Sequence, residues 1–165
     1  MPTAAARSKK APQFALRDQG GDEHQLHDYA GRPLVIFFYP KDDTSVCTRE
    51  ACEFRDLLPR FESAGVAVLG ISILGEASKR RFAEKHSIPF PLLADDRLDA
   101  AGKPDPLVSR RYGVWVEKSM YGRTYMGIER TTVLVDAKGR IVRRWDKVKV
   151  PGHAAEVLEA ALLLA

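Results

Sequence analysis

Residues 33–39, PLVIFFY, run without a charged or amide side chain, and β-branched and aromatic residues fill most of the stretch. Such continuity predicts a strand buried on both faces. VAVLGIS, over 66–72, repeats the pattern. Between the two runs the period changes: Ala51, Phe54, Leu58 and Phe61 recur at spacings of three and four, which predicts a helix ending near Gly65. Pro59 lies inside it and predicts a kink or a weakened turn. EASKRRFAEKH (76–86) reads as an amphipathic helix, FPLLAD (90–95) as a short strand, and 96–114 as a further helix broken by GKPDP. TTVLVDAKGRIVRRWD (131–146) predicts a hairpin around a DAKG turn. The closing HAAEVLEAALLLA predicts an apolar helix with one face on the sheet. Near the start, QFALRDQGGDEHQLHDYAG sets a Gly-Gly turn between two alternating segments, predicting a small hairpin and then a helical turn. Residues 1–11 read as a flexible arm, and 12–165 as a single domain.

Strand, helix, strand, further helices, a hairpin and a terminal helix make a three-layer α/β plan with a central mixed sheet flanked by helices. The first βαβ unit should cross over right-handed and make its two strands parallel. Ligands in such sheets sit at the carboxyl ends of the strands. The peptide YPKDDTSVC leaves the first long strand at such an end, which places Cys47 at an expected reaction site.

Length and composition narrow the classes. A chain of 165 residues, 45% hydrophobic and 29% charged, suits one soluble globular domain. The longest apolar run is far below the ~20 residues that cross a bilayer. The first residues carry basic charge but no apolar h-region, so a secretory signal is not expected and a cytoplasmic setting is. The net charge of +4 comes from basic residues scattered as RSKK, KRR, RR and RRWDKVK, without interleaved aromatics. That pattern reads as a solvated surface, with no specific nucleic-acid platform. His24, His27, His86 and His153 are dispersed without paired spacing, so no metal site is expected. Two cysteines, Cys47 and Cys52, leave redox chemistry in front.

Only a thiolate is a good nucleophile, and a thiol of ordinary acidity is roughly 3% ionised at pH 7. A helix N-terminus, with its unpaired N–H groups and partial positive charge, favours the ionised form. Thr44 and Ser45 are N-cap residue types, so Cys47 should fall in the first turn. Cys52, five residues on, would lie about 140° round the helix and ~7.5 Å along it. The two Cα atoms would then be roughly 9 Å apart, beyond disulfide reach unless the first turns unwind. Cys47 shares its helical stripe with Ala51, Phe54 and Leu58, so a small core hydrophobe is its alternative reading. Cys52 falls with Arg49, Arg55, Asp56 and Pro59 on a polar boundary face, where an idle surface thiol is the alternative.

Two segments, FFYPKDDTSVCTREACEFRD and YGVWVEKSMYGRTYMGIERTTVLVDAKGRIV, resemble the peroxiredoxins, in particular the bacterioferritin comigratory protein (peroxiredoxin Q) subgroup. The family pattern of Pro, three residues, Thr or Ser, two residues and Cys falls on Pro40, Thr44 and Cys47. The resemblance implies a thioredoxin-like fold and a thiol peroxidase without metal or cofactor. Cys47 would be the peroxidatic nucleophile and Cys52, at the subgroup's usual spacing, the resolving thiol. Thr44 and Arg130 would hold and polarise the peroxide, the backbone near Val46 and Cys47 would complete the anion site, and Pro40 would cover it. The implied partners are a peroxide and a thioredoxin or glutaredoxin-type reductant, acting on a monomer. The chain departs from the subgroup in carrying Ser45-Val46 where Pro-Gly is usual, and in a longer, more broken DAAGKPDPLVS segment.

Neighbouring residues have plainer readings. Glu50 reads as an ordinary first-turn acid matching the helix dipole. Asp42 and Asp43 read as chain-turning residues, and Tyr39 and Trp115 as packing residues. The competing function is a redox-gated binding or holdase module of the same fold, without peroxidase turnover.

Overall fold

The five successive apolar side chains Leu34–Phe38 form strand β4, and none is more than 1% exposed. Residues 9–164 are described in this computed structural model. β4 lies inside the sheet, parallel to β5 (Ala67–Ser72) and antiparallel to β9 (Thr131–Val135). β6 (Leu92–Ala94) continues the parallel side, and β10 (Arg140–Trp145) pairs with β9. The N-terminal segment supplies both edges. β1 (Lys9–Lys10) lies on β10, β2 (Ala15–Arg17) lies on β6, and β3 (Glu23–Gln25) lies outside β2. The eight-stranded order is β1-β10-β9-β4-β5-β6-β2-β3.

Strand alternation splits the core into two halves. Val35, Phe37 and Tyr39 face one side, where they meet Phe54 and Phe61 of helix α1 (Ser45–Ser63), Phe82 of α2 (Glu76–His86) and Val157 of α4 (His153–Leu162). Leu34, Ile36 and Phe38 face the other, packing with Phe14, Leu26, and Val108 and Tyr112 around the short helix α3 (Leu107–Arg111). The three-layer, thioredoxin-like arrangement therefore follows from a strand with no polar face. Gly70 on β5 is needed for the tightest contact: a Cβ there would sit 2.8 Å from the ring of Phe37, which stacks on Phe54 at 4.7 Å between centroids.

Three expectations change. The helix expected over 96–114 shrinks to Leu107–Arg111, because the preceding segment folds into an irregular loop with a bridge between Leu98 and Pro104. Pro104 and Pro106 offer no N–H for a longer helix, and the buried Asp95 carboxylate accepts from the N–H groups of Val108 and Ser109 instead. A second sheet, β7 (Trp115–Met120) paired with β8 (Arg123–Ile128), was not expected; its side chains are mostly exposed and leave a weak apolar pattern. Its turn, Tyr121-Gly122, takes positive φ at both residues without the usual Asn-Gly signal. At the N-terminus, residues 1–8 of the expected arm lie outside the described residues, whereas Lys9 and Lys10 pair with β10 and Ala11 is buried. α1 runs on through Pro59, which sits on its exposed face.

At the start of α4, His153 is buried edge-on to Phe54 and Trp145, and its Nε2 shares a hydrogen bond of 2.7 Å with Thr132 Oγ1. Burial pushes its imidazole down to about 4, the nearby Arg130 adding to the shift and Glu156 opposing it. The unfolded chain therefore takes up this proton near pH 6.5, while the folded chain takes it up only near pH 4. Wild type should lose stability relative to His153→Gln as pH falls across that window, on the order of 1–2 kcal/mol. Denaturant midpoints of the two proteins at pH 7.5, 6, 5 and 4 check this.

Candidate active site

β4 ends at Phe38, opposite Thr131 of β9. That antiparallel register brings Arg130, one residue before β9, beside the loop that leaves β4. The loop runs through Pro40 to Thr44 and turns at Asp43, whose φ of +60° is a conformation that a short acidic side chain tolerates. Thr44 is the N-cap of α1, with extended dihedrals of −85° and 155°, and its carbonyl accepts the Thr48 N–H at 2.8 Å. Its hydroxyl does not cap the helix; it donates to the Lys41 carbonyl at 3.2 Å. Pro40 is half-buried, and Thr44 and Val46 are exposed.

Cys47 follows in the first turn of α1 and is 1% exposed. The Arg130 guanidinium reaches it from β9's side, with Nη2 donating to Sγ at 3.2 Å. The other arm, Nη1, donates to Glu50 Oε1 at 2.7 Å. Glu50 stands one turn along α1 and is itself 1% exposed. Burial pushes its carboxyl up to about 7, with Arg130 pulling against that shift. Burial alone would weaken the Arg130 charge, but Glu50 and then Cys47 raise its pKa above the ordinary arginine value. A permanent cation thus faces the sulfur, and the carboxylate behind it fixes the guanidinium plane. Lys118 of β7 donates from Nζ to the Ile128 carbonyl, and burial together with the Arg130 charge holds its amine below the ordinary lysine value, against the pull of Glu129 and Cys47.

Cys52 lies five residues on in the same unbroken helix, half-buried against the α1 side of the core, and both thiols are free. In helical geometry their Cα atoms are roughly 9 Å apart, too far for a disulfide while the helix is intact. Among the described residues no cluster of His, Cys, Asp and Glu is placed to hold a metal ion.

Two plain readings of the sequence are corrected here. Glu50 is no surface acid tuned to the helix dipole, since its carboxylate is buried against Arg130. Its spacing held the signal: Glu50 is three residues after Cys47 and four before Phe54, on the buried stripe. Asp42 does more than turn the chain. Its carboxylate is buried and accepts from the Tyr39 hydroxyl, from Ser78 Oγ at 2.8 Å and from Lys79 Nζ at 3.3 Å. Burial pushes the Lys79 amine down to about 8, against the pull of Asp42. Lys79 lies three and four residues before Phe82 and Ala83, so its place on an apolar stripe also marked it. Tyr39 belongs to the core as read, with its hydroxyl committed to Asp42, and Trp115 is half-buried at the edge of the other core.

Known proteins resemble this chain over most of its length. The family model described as AhpC/TSA matches residues 8–144. The chain is 45% identical over 150 residues to a putative peroxiredoxin bcp of Coxiella burnetii, covering 91% of this chain and 94% of that protein. It is 41% identical to peroxiredoxin Bcp of Bacillus subtilis, covering 92% and 91%. Peroxiredoxin Q of Xanthomonas campestris superposes with a TM-score of 0.84 at 41% identity, over 92% of each chain. A further structure, of the Xanthomonas campestris bacterioferritin comigratory protein, described for its alkyl peroxide reduction activity, gives 0.82 at 41% identity over 90% and 89%. With the family model spanning most of the domain and relatives matched from end to end, the chain belongs to the AhpC/TSA family and, within it, to the peroxiredoxin Q or Bcp branch of thiol peroxidases.

Proposed function

We propose that this peroxiredoxin reduces hydrogen peroxide and organic hydroperoxides through a sulfenic acid on Cys47, which Cys52 resolves as an intramolecular disulfide. The observation that carries the reading is the Arg130 guanidinium, held by Glu50 and donating to the Cys47 sulfur. In the first step the Cys47 thiolate attacks one peroxide oxygen. The S–O bond forms, the O–O bond breaks, and the departing oxygen takes a proton and leaves as water or an alcohol. Arg130 stabilises the starting thiolate and the charge growing on the leaving oxygen. Thr44, whose proton is directed to the Lys41 carbonyl, keeps its lone pairs to accept from the hydroperoxide O–H and orient it. Backbone N–H groups at Val46 and Cys47, in the first turn, face the same charge. Pro40, half-buried beside them, limits the access of water.

In the second step the first turns of α1 unwind and the Cys52 thiolate attacks the Cys47 sulfur. The S–S bond forms and the sulfenic oxygen leaves as water. An external dithiol, thioredoxin or a glutaredoxin-type protein, then returns both cysteines to thiols by exchange. Because the disulfide lies within one chain, the cycle needs no second copy, and a monomer in the reducing cytoplasm suits it.

Stopped-flow fluorescence with substoichiometric hydrogen peroxide tests the roles. Cys47→Ser should abolish the fast phase; a wild-type rate in that variant would remove the nucleophile. Cys52→Ser should keep the first phase within about twofold and lose thioredoxin-linked turnover. Arg130→Lys should slow the first phase by about 10²-fold, since the ammonium cannot serve both sulfur and carboxylate. Glu50→Gln, which keeps the size and leaves Arg130 less firmly held, should slow it by about tenfold. Salt-sensitive client binding with no peroxide consumption would favour the holdase reading instead.

A further inference from the structure

Asp42 precedes Thr44 by two residues and Cys47 by five, and is 8% exposed. Its carboxylate accepts from the Tyr39 hydroxyl, from Ser78 Oγ at 2.8 Å, and from Lys79 Nζ at 3.4 and 3.3 Å on its two oxygens. Lys79 is 0% exposed. It also donates to Ser72 Oγ at 2.6 Å and lies over the Tyr39 ring at 5.4 Å. Ser72 ends β5, and Ser78 and Lys79 begin α2, so the partners stand on elements that carry no part of the peroxide chemistry. No hydrogen bond links Lys79, Ser72 or Ser78 to Cys47, Glu50 or Arg130 among the described residues.

The next residue is held very differently. Asp43 pairs with Lys85 and His86 at 2.9 Å each, but its side chain and that of Lys85 are exposed. Water and salt screen such pairs, and they hold weakly. Drawing Asp42 out of its site would leave the buried Tyr39 phenol without its acceptor, the buried Lys79 ammonium with only Ser72 Oγ among its side-chain acceptors, and the half-buried Ser78 hydroxyl unpaired. Drawing Asp43 out would break only screened pairs. The strength of attachment thus falls sharply between two adjacent aspartates, just before the segment that holds both thiols.

We propose that the Asp42–Lys79 pair is the fixed end of the segment that unwinds when Cys47 meets Cys52. The inference rests on the two-thiol cycle proposed above. The chain opens from Asp43 onward, while Tyr39 to Asp42 stay locked to β5 and α2. Lys79 is then a positioning residue acting through Asp42. It holds Pro40 and the entrance to α1 in place, so that the peroxide-reactive form reassembles around a preset start. Loosening this end should act in opposite directions on the two steps, weakening the folded form that attacks peroxide and favouring the unwound form that makes the disulfide.

Hydrogen exchange read by mass spectrometry tests this on the full chain, reduced and after one equivalent of hydrogen peroxide. In wild type, oxidation should release the amides of residues 48–52 and leave those of Phe38, Tyr39 and residues 79–82 protected. In reduced Lys79→Met, the amides of residues 48–52, beginning with Thr48 on the Thr44 carbonyl, should exchange about tenfold faster than in wild type. Stopped-flow on that variant should show slower reaction with peroxide and faster disulfide formation, a split that simple destabilisation would not produce. Lys85→Ala, which breaks only the screened pair, should match wild type in both rates. Should Lys79→Met fail to fold, Ser78→Ala removes one bond to the carboxylate without stranding a charge and should shift exchange in the same direction. Unchanged exchange at 48–52 in the reduced variant, or equal loosening on both sides of Asp42 in oxidised wild type, would overturn the anchor alone. Oxidised wild type without a Cys47–Cys52 disulfide would overturn the cycle and this role with it.

Discussion

Arg130 donates through both arms of one guanidinium, to the Cys47 sulfur at 3.2 Å and to Glu50 at 2.7 Å. Cys47 and Glu50 stand on α1 and Arg130 just before β9, brought together by the register of β4 against β9 and the course of α1. Each would be costly alone in this setting: a buried carboxylate, a largely buried guanidinium and a sulfur that must carry charge. Together they offset part of one another's cost, with Glu50 Oε1 paired and Oε2 left without a hydrogen-bond partner among the described residues, and the fixed planar fork sets the direction from which charge on sulfur is stabilised. The chemistry proposed for the chain depends on this triad more than on any other contact.

The rest of the fold can be seen as the means of holding that triad. A strand with two apolar faces, β4, must be covered on both sides, so α1 is pressed onto it through Phe54 and Phe61, and the Phe37–Phe54 stack requires Gly70 on the neighbouring strand. The first turn of α1 inherits its position from this packing, and Cys47 and Glu50 face inward as a result. The loop between strand and helix is tied from below by buried Asp42 and from outside by Asp43. Buried attachment at Asp42 and screened attachment at Asp43 suit the proposed cycle, in which one sulfur reacts while folded and then moves to its partner.

The strands buried on both faces were legible because short, β-branched and aromatic runs such as PLVIFFY, bounded by proline, favour a buried strand over a helix, and α1 was legible from the spacing of Ala51, Phe54, Leu58 and Phe61. Cys47, Thr44 and Arg130 were singled out through motif spacing and resemblance, and the fold brings Arg130 to Cys47. Helix 96–114 was overread, because the polar stretch before Pro104 and Pro106 has no apolar face to hold a helix. The β7–β8 hairpin was missed, because a sheet standing off the core has little burial pattern to reveal it. Glu50, Asp42 and Lys79 show a different failure. Glu50 and Lys79, on apolar stripes, were given their ordinary surface readings although their spacing placed them inside; Asp42, in the loop, carried no such spacing, and its burial follows from the partner that a buried charge needs.

The most direct test of the central claim is the intact mass and peptide map of the reduced protein after one equivalent of hydrogen peroxide. The account predicts a loss of about 2 Da and a peptide joined through Cys47 and Cys52. Added oxygen on Cys47 with Cys52 still a free thiol, or an unchanged mass after rapid mixing, would contradict it.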